Sequence, residues 1–279
     1  MEKYILLPQQ LLHEGTMENE NFFDPSVISE EKVLRVHTRK YLDKLLTKSL
    51  SRKEERATGF PLSEKLVKRE LIITQGTVDA VDHAIENGAA ANIAGGTHHA
   101  FKDRGEGFCL LNDIAIGSAY ALEELELKQI LVVDLDVHQG NGTAKIFEND
   151  SRVFTFSMHG AKNYPLRKEK SDLDIALPDK TEDEAYLNVL KDTLPGLIED
   201  VQPDLIFFQS GVDVLASDKL GRLSMTIEGC KKRDEIVFTE TKKRGIPVVF
   251  NMGGGYSEKI AVIIEAHANT YRTAREIYF

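Results

Sequence analysis

The sequence predicts a single α/β domain in three layers: a mostly parallel sheet covered by helices on both faces. Three observations carry this. From about residue 72 to the end, short apolar runs bounded by turn residues alternate with longer amphipathic stretches, the pattern of successive βα units. The strand-like runs are apolar on both faces, as a sheet buried between two helix layers requires. No linker, repeat or low-complexity tract divides the 279 residues, a length that one large α/β domain fills. Residues 1–279 are therefore read as one unit.

The elements follow in order. In the first 70 residues the pattern is weak. "SEEKVLRVHTRKYLDKLL" (29–46) predicts a helix, with a serine before an acidic first turn. "SLSRKEERATGFPLSEKLVKRE" (49–70) reads as a loop and a second helical piece whose charges face solvent. Residues 89–95, "AAANIAG", read as a short strand. "NDIAIGSAYALEEL" (112–125) has helical apolar spacing and an Asn-Asp start suited to a cap. "KQILVVDLD" (128–136) is a strand, "TAKIFEND" (143–150) a short helix and "RVFTFSMH" (152–159) another strand. The helix at 182–200 contains Pro195, expected to kink or interrupt it. "PDLIFFQSG" (203–211) and "IPVVFNMGGG" (246–255) are strands, and 225–245 and 257–277 are helices.

Composition narrows the function classes. No apolar run approaches the ~18 residues of a membrane span. The start "MEKYILLPQQ" is a poor signal peptide. With only Cys109 and Cys230, a disulfide framework is not expected, so the expected location is cytoplasmic. The net charge of −10 argues against general nucleic-acid affinity. It is compatible with cationic substrates, although a solvated acidic surface is the blander account.

Polar residues gather at four strand ends. They are His98 and His99 in a glycine-flanked loop; Asp134, Asp136 and His138; Asp213; and Tyr256 after three glycines. All should lie at the C-terminal edge of the sheet, where open α/β sheets bind ligands. Along a strand, residues 134, 136 and 138 share a side. Asp136 and His138 can then converge with Asp213 on one divalent ion, leaving positions open for water and substrate. The blander account of each feature is ordinary: Asp213 as a cap or turn residue, a packed histidine, a glycine turn before Tyr256. Four coincidences at one sheet edge weigh against it. Arg35 and the histidines at 13, 37, 83 and 267 have no such context.

The stretches "GGTHHAFKDRGEGFCLLNDIAIG", "VVDLDVHQGNGT", "FTFSMHG", "GVDVLASDKLGRLSMT" and "NMGGGYS" resemble the signature blocks of the zinc-dependent histone deacetylase family. The resemblance spans roughly residues 70 to 260 in the right order, and "DKLGRLSMT" and "HGAKNYP" look closest to its class IV and bacterial branch. It implies a single arginase-like deacetylase domain. It implies one catalytic zinc ion on Asp136, His138 and Asp213, His98 and His99 as general base and electrostatic partner or general acid, and Tyr256 as donor to the substrate carbonyl. Asp134 is implied to orient His98 and Asn141 the second histidine. Gly107, Phe108 and Tyr164 fall where the family builds its acyl-lysine channel. Asp134, Ser157 and Met158, with the carbonyls of Asp136 and His138, resemble a structural potassium site.

Two departures matter. Asn141 stands where much of the family has an aspartate, so His99 should be less basic; some branches share this Asn. The family's additional first strand and loop are not present upstream of "MEKY". Either the start is truncated or the sheet edge is built differently, with part of the pocket rim missing.

The first functional reading is a zinc-dependent amidohydrolase that removes acetyl or other acyl groups from lysine side chains. The alternatives are an acetylpolyamine or other small-molecule amide hydrolase and a non-catalytic acyl-lysine-binding module. The complete ligand set and Tyr256 argue against the module. An arginase-like ureohydrolase needs two manganese ions and more acidic ligands. The expected partners are acyl-lysine proteins or small acylated amines, with no nucleic acid and no membrane. The oligomeric state is not readable.

Overall fold

The five apolar runs become strands and a sixth joins them, so that the described residues form β1 (Ala89–Asn92), β2 (Ile130–Asp134), β3 (Val153–Gly160), β4 (Leu173–Leu177), β5 (Leu205–Gln209) and β6 (Val248–Asn251). The structure is a computed structural model describing residues 2–279. The strands form one sheet in the order β1-β6-β5-β2-β3-β4, and every pairing is parallel. Side chains alternate faces along a strand, and the core divides accordingly. Leu131, Val133, Ile206, Phe208, Val248 and Phe250 enter one cluster. Ile130, Val132, Leu205, Phe207 and Val249 enter the other. Phe207 and Phe208 are fully buried on opposite faces, each worth roughly 1.5–3 kcal/mol of hydrophobic stabilisation.

Helices α1 (Lys3–His13), α8 (Asp183–Val201), α9 (Ile227–Arg244) and α10 (Ile260–Tyr278) cover the first face. The second is covered by α2 (Glu30–Leu34), α3 (Arg39–Leu46), α5 (Glu64–Asn87), α6 (Asp113–Glu123) and α7 (Asn141–Phe147). A short helix, α4 (Arg52–Thr58), lies between α3 and α5. The predicted α/β class and its three layers are what the chain forms. No helix among the described residues is long and apolar enough to cross a membrane.

The topology fixes where a ligand site can lie. From β2 the chain runs outward to β3 and β4, then returns to β5 on the other side of β2 and moves outward again to β6. The loops leaving β2 and β5 therefore diverge, opening a crevice at their carboxyl ends.

The elements differ from expectation in five places. The helix expected at 29–46 is broken into α2 and α3. The Thr38 amide donates to the Lys102 carbonyl (2.8 Å), and the Thr38 hydroxyl accepts from the Tyr41 amide (3.3 Å), which caps a new helix. Pro195 does not interrupt α8, whose Leu190, Leu194, Leu197 and Ile198 pack into the core on either side of it. The β2 strand stops at Asp134 rather than Asp136, for the reason given below. Two elements have no counterpart in the sequence reading. One is α1; the other is the edge strand β4, in which half-buried Leu173 and Ile175 alternate with exposed Asp174 and Ala176.

Candidate active site

Carboxylates end the β2 strand. The Asp136 amide donates to Asp134 Oδ1 (3.2 Å), the Val137 amide to Asp213 Oδ1 (2.9 Å) and the His138 amide to Asp136 Oδ1 (3.0 Å). Acidic side chains thus replace a neighbouring strand as acceptors, and the backbone curls instead of extending. This curl, and not strand alternation, points Asp136 and His138 towards the end of β5. There the Val212 amide donates to the Gly254 carbonyl (3.0 Å), which fixes the turn that delivers Asp213.

Asp136, His138 and Asp213 are buried, and one donor atom of each lies within 4.8 Å of the others. His138 Nδ1 is 3.1 Å from Asp136 Oδ1 and 3.1 Å from Asp213 Oδ2. Burial opposes a charge on His138, yet its hydrogen bonds to Asp136 and Asp213 raise its pKa to about 10. Burial, and then the charge of Asp136, push Asp213 up to about 7. Two buried carboxylates facing one imidazole demand positive charge between them. Two oxygens and one nitrogen, with no thiolate, fit a divalent metal ion that keeps open positions.

The two adjacent histidines carry opposite shifts. His98 Nδ1 lies 2.6 Å from Asp134 Oδ2, and His99 Nδ1 lies 2.6 Å from Asn141 Oδ1. For His98, burial disfavours charge, but Asp134 outweighs it and raises the pKa to about 9. For His99, burial and the charges of His98 and His138 lower the pKa well below the ordinary value, and the Asn141 hydrogen bond offsets little of this. The two rings stack with centroids 4.1 Å apart. With each Nδ1 engaged, Nε2 is the free nitrogen of each ring.

The glycine run before Tyr256 has a steric cause. The Gly254 amide donates to Asp136 Oδ2 (2.9 Å), and a Cβ there would lie 1.9 Å from Asp213 Oδ2. Only glycine lets this loop cross the carboxylate pair. The Tyr256 amide is held by Asp218 Oδ2 (2.6 Å). Burial, then the charges of Asp213 and Asp136, push its phenol pKa well up. Gly107, at φ +53°, makes the other close approach: a Cβ would lie 2.6 Å from His99 Cδ2. Next to it, Phe108 is tilted against Phe60 (5.4 Å between centroids) and Tyr256 (6.2 Å). Tyr164 meets His99 edge-on at 5.0 Å.

The structure gathers nine of the residues singled out in the sequence into one cavity of about 420 Å³: His98, His99, Gly107, Phe108, Asp136, His138, Tyr164, Asp213 and Tyr256. Asp134 and Asn141 sit behind the histidines. Ser157 and Met158 do not line the cavity; Ser157 is in register with Asp134 across β2 and β3, and its hydroxyl meets His159 Nδ1 at 3.0 Å. His37 is a buried acceptor for the Asn112 amide (3.0 Å).

Three residues were missed. Lys3, on α1, is buried; its Nζ donates to the Gly253 carbonyl (3.0 Å) and lies 5.3 Å from the centre of the Tyr256 ring. Arg233, on α9, is fully buried. It binds Asp234 (2.8 Å) and donates to the carbonyls of Gly211 (2.6 Å), Ser210 (3.1 Å) and Leu135 (3.3 Å), so it fastens both loops that carry Asp136 and Asp213. Gln139, to which the sequence gave no role, donates to the Glu169 carbonyl and Asp174 (both 2.7 Å) and accepts from the Glu169 amide (3.0 Å). It pins the segment that follows Tyr164. None of the three has a local sequence signal.

A family model described as the histone deacetylase domain matches residues 1–271. An uncharacterized protein of Picosynechococcus is 41% identical over 278 residues, covering 100% of this chain and 93% of that protein. Histone deacetylase 2 of Arabidopsis thaliana is 31% identical over 263 residues, covering 91% of this chain and 68% of that protein. The acetoin utilization protein AcuC of Staphylococcus aureus is 27% identical over 277 residues, covering 90% and 70% respectively. The crystal structure of an HDAC homolog complexed with SAHA has the same fold, with a TM-score of 0.84 at 24% identity over 98% of this chain and 77% of that one.

Proposed function

The chain belongs to the histone deacetylase family and is a deacetylase hydrolase, and from that premise we propose that it uses zinc to remove acetyl or other acyl groups from lysine side chains. One observation carries this reading. The buried Asp136–His138–Asp213 trio shares its cavity with two histidines of opposite pKa shift and with a tyrosine aimed by a glycine loop. Small acylated amines, the other substrate class of the family, would use the same atoms.

Asp136, His138 and Asp213 would hold the ion. When bound, zinc supplies a Lewis acid for the acyl carbonyl and lowers the pKa of water beside it towards ~7. His99 is neutral at pH 7 because its pKa is held down, so its Nε2 takes the proton of the attacking water. His98 is charged because Asp134 holds its pKa up; it stabilises the negative charge that develops and gives its Nε2 proton to the leaving amine as the C–N bond breaks. Tyr256 keeps its proton and donates a hydrogen bond to the oxyanion. Phe108, Tyr164 and Gly107 form the channel for the lysine methylenes. The products are a carboxylate and a free amine.

A structural potassium ion on Asp134 and Ser157, with the carbonyls of Asp136, His138 and Met158, belongs to the same proposal. So does a reducing, cytoplasmic location, supported by Cys109 and Cys230 being free and buried. Metal analysis and acetyl-lysine peptide turnover test the central claim. Chelation should abolish activity, and Asp136→Ala and Asp213→Ala should each lose the metal. Wild-type metal content in both variants would overturn the ligand assignment.

A further inference from the structure

We propose that the cleft selects acyl-lysines flanked by acidic residues and rejects acylated polyamines, because the exposed charged side chains that line its mouth are cations. The inference rests on the deacetylase reading and names the substrate class within it.

The chain carries a net charge of −10, so an unselected patch of its surface should be acidic. The cleft is not. Among the described residues its lining carboxylates are Asp136 and Asp213, both buried. Apart from the buried histidines, the other charged lining residues are Arg56, Lys162 and Arg222. The side chains of Lys162 and Arg222 are 73% and 56% exposed, so their charges meet an incoming substrate. They occupy two loops joined by a hydrogen bond from Asn163 Nδ2 to the Leu220 carbonyl (2.7 Å). Lys162 lies two residues before Tyr164, on one wall of the channel. Arg56 is on α4, whose Ala57 and Thr58 carbonyls accept from the amides of Gly107 and Phe108 (both 3.0 Å), on the other wall.

The acidic groups nearest the mouth lie outside the cleft lining, and each is hydrogen-bonded or ion-paired to the protein itself. Asp179 serves both Arg222 (3.2 Å) and Lys162 (3.7 Å), one carboxylate against two cations. Glu106 is bound to Arg104 (2.8 Å) and to the Tyr164 hydroxyl (3.0 Å). Arg104 also meets Asp103 (3.2 Å). Asp218 accepts from the amides of Tyr256, Leu220 and Gly221. None of these lines the cleft, and Arg56 has no carboxylate partner among the described residues.

An acylated polyamine with its amide at the cavity floor would place an ammonium group at this mouth. It would find three cations lining the mouth and, among the described residues, no lining carboxylate beyond the buried pair. An acylated lysine carries no charge of its own, so flanking residues decide the encounter. Acidic flanks can pair with Lys162, Arg222 and Arg56; basic flanks are repelled.

The test compares kcat/KM for three acetyl-lysine peptides that differ only in having glutamate, alanine or lysine on both sides, together with acetylated spermidine. The expected order is glutamate, alanine, lysine, with steps of about fivefold at low salt and acetylated spermidine slower than the alanine peptide. High salt should compress the order, since exposed charges are screened. In Lys162→Glu/Arg222→Glu the glutamate-to-lysine ratio should invert. Arg56→Glu, on the opposite wall, should lower that ratio without disturbing Asp179. Because each ratio is taken within one protein, a general loss of rate cancels. A flat order, an unchanged ratio in both variants, or acetylated spermidine outpacing the alanine peptide would overturn the proposal. Fluorescence anisotropy with the same peptides separates the two readings. Binding ordered by charge with no turnover would sink the hydrolase reading and leave charge selection standing; binding without order would sink charge selection alone.

Discussion

Replacing Arg233 with methionine should unfasten the active site from behind. The methylene stem keeps most of the packing, while the guanidinium and its four contacts are lost. Asp234 would remain fully buried, with only the Thr270 hydroxyl at 2.6 Å for company. Stranding one partner of a buried ion pair costs about 3–5 kcal/mol. The carbonyls of Leu135, Ser210 and Gly211 would also lose a donor, and a buried acceptor left unpaired costs on the order of 1 kcal/mol or more. These terms overlap, so the expected loss is about 4–5 kcal/mol, a large part of the ~5–15 kcal/mol stability of a domain. Urea unfolding measures it as a lower midpoint at unchanged slope. Metal content should fall as well, since Leu135 and Gly211 adjoin the loops of Asp136 and Asp213. Arg233→Met/Asp234→Leu, which removes both charges, should recover part of the stability but not the metal affinity, because the three carbonyls stay unfastened. A single variant that loses under about 1 kcal/mol and keeps its metal would refute the reasoning. So would a double variant less stable than the single one.

Tyr256→Phe should keep fold, metal and KM while losing about 10²–10³ in kcat; activity within a few-fold of wild type at matched metal content would remove the oxyanion role. Asn141→Asp places a negative charge on His99 Nδ1, which favours the imidazolium and raises its pKa. The acidic limb of the kcat/KM profile should then move to higher pH, and an unmoved limb would separate Asn141 from catalysis. Burial lowers His37 to about 4 in the folded protein against about 6.5 when unfolded. Its contribution is therefore complete above pH ~6.5 and lost as pH falls through ~4, about 3 kcal/mol in all. His37→Gln, which can still accept from the Asn112 amide, should flatten that part of the urea midpoint–pH curve; a curve identical to wild type would show that another group governs it.

The sheet was legible because its central strands are apolar up to their last residue and bounded by turns, and the gathering of Asp136, His138 and Asp213 because acidic and imidazole side chains are anomalous at the end of such a run. The mechanism of convergence was not. Strand alternation would have carried β2 to Asp136, whereas the carboxylates themselves take the backbone amides and turn the chain. The sequence likewise shows two charged residues in "MEKY" and a charged helix in "KKRDE", both ordinary for a solvated face. Lys3 is buried by a bond to Gly253, 250 positions away, and Arg233 by a bond to Leu135, 98 away; no local window contains those partners. The edge strand β4 escaped notice because one of its faces is wet, so its few apolar residues merge with the charged segments around it. Thr38 divided a continuous amphipathic stretch through a contact with Lys102, again non-local.

The reversal of strand order between β2 and β5 also sets when the metal seat comes into being. Asp136 is made early in synthesis, but Asp213 follows 76 residues after the Val137 amide it holds, and the Gly254 amide follows Asp136 by 118. Non-local closures of this kind come late in folding. A nascent chain that has emerged only through β3 holds Asp136 and His138 but not Asp213, and neither the turn nor the arginine that orients it. On the proposed metal reading, a three-residue seat for the ion would exist only once both halves of the sheet have joined, so metal retention would report completed folding.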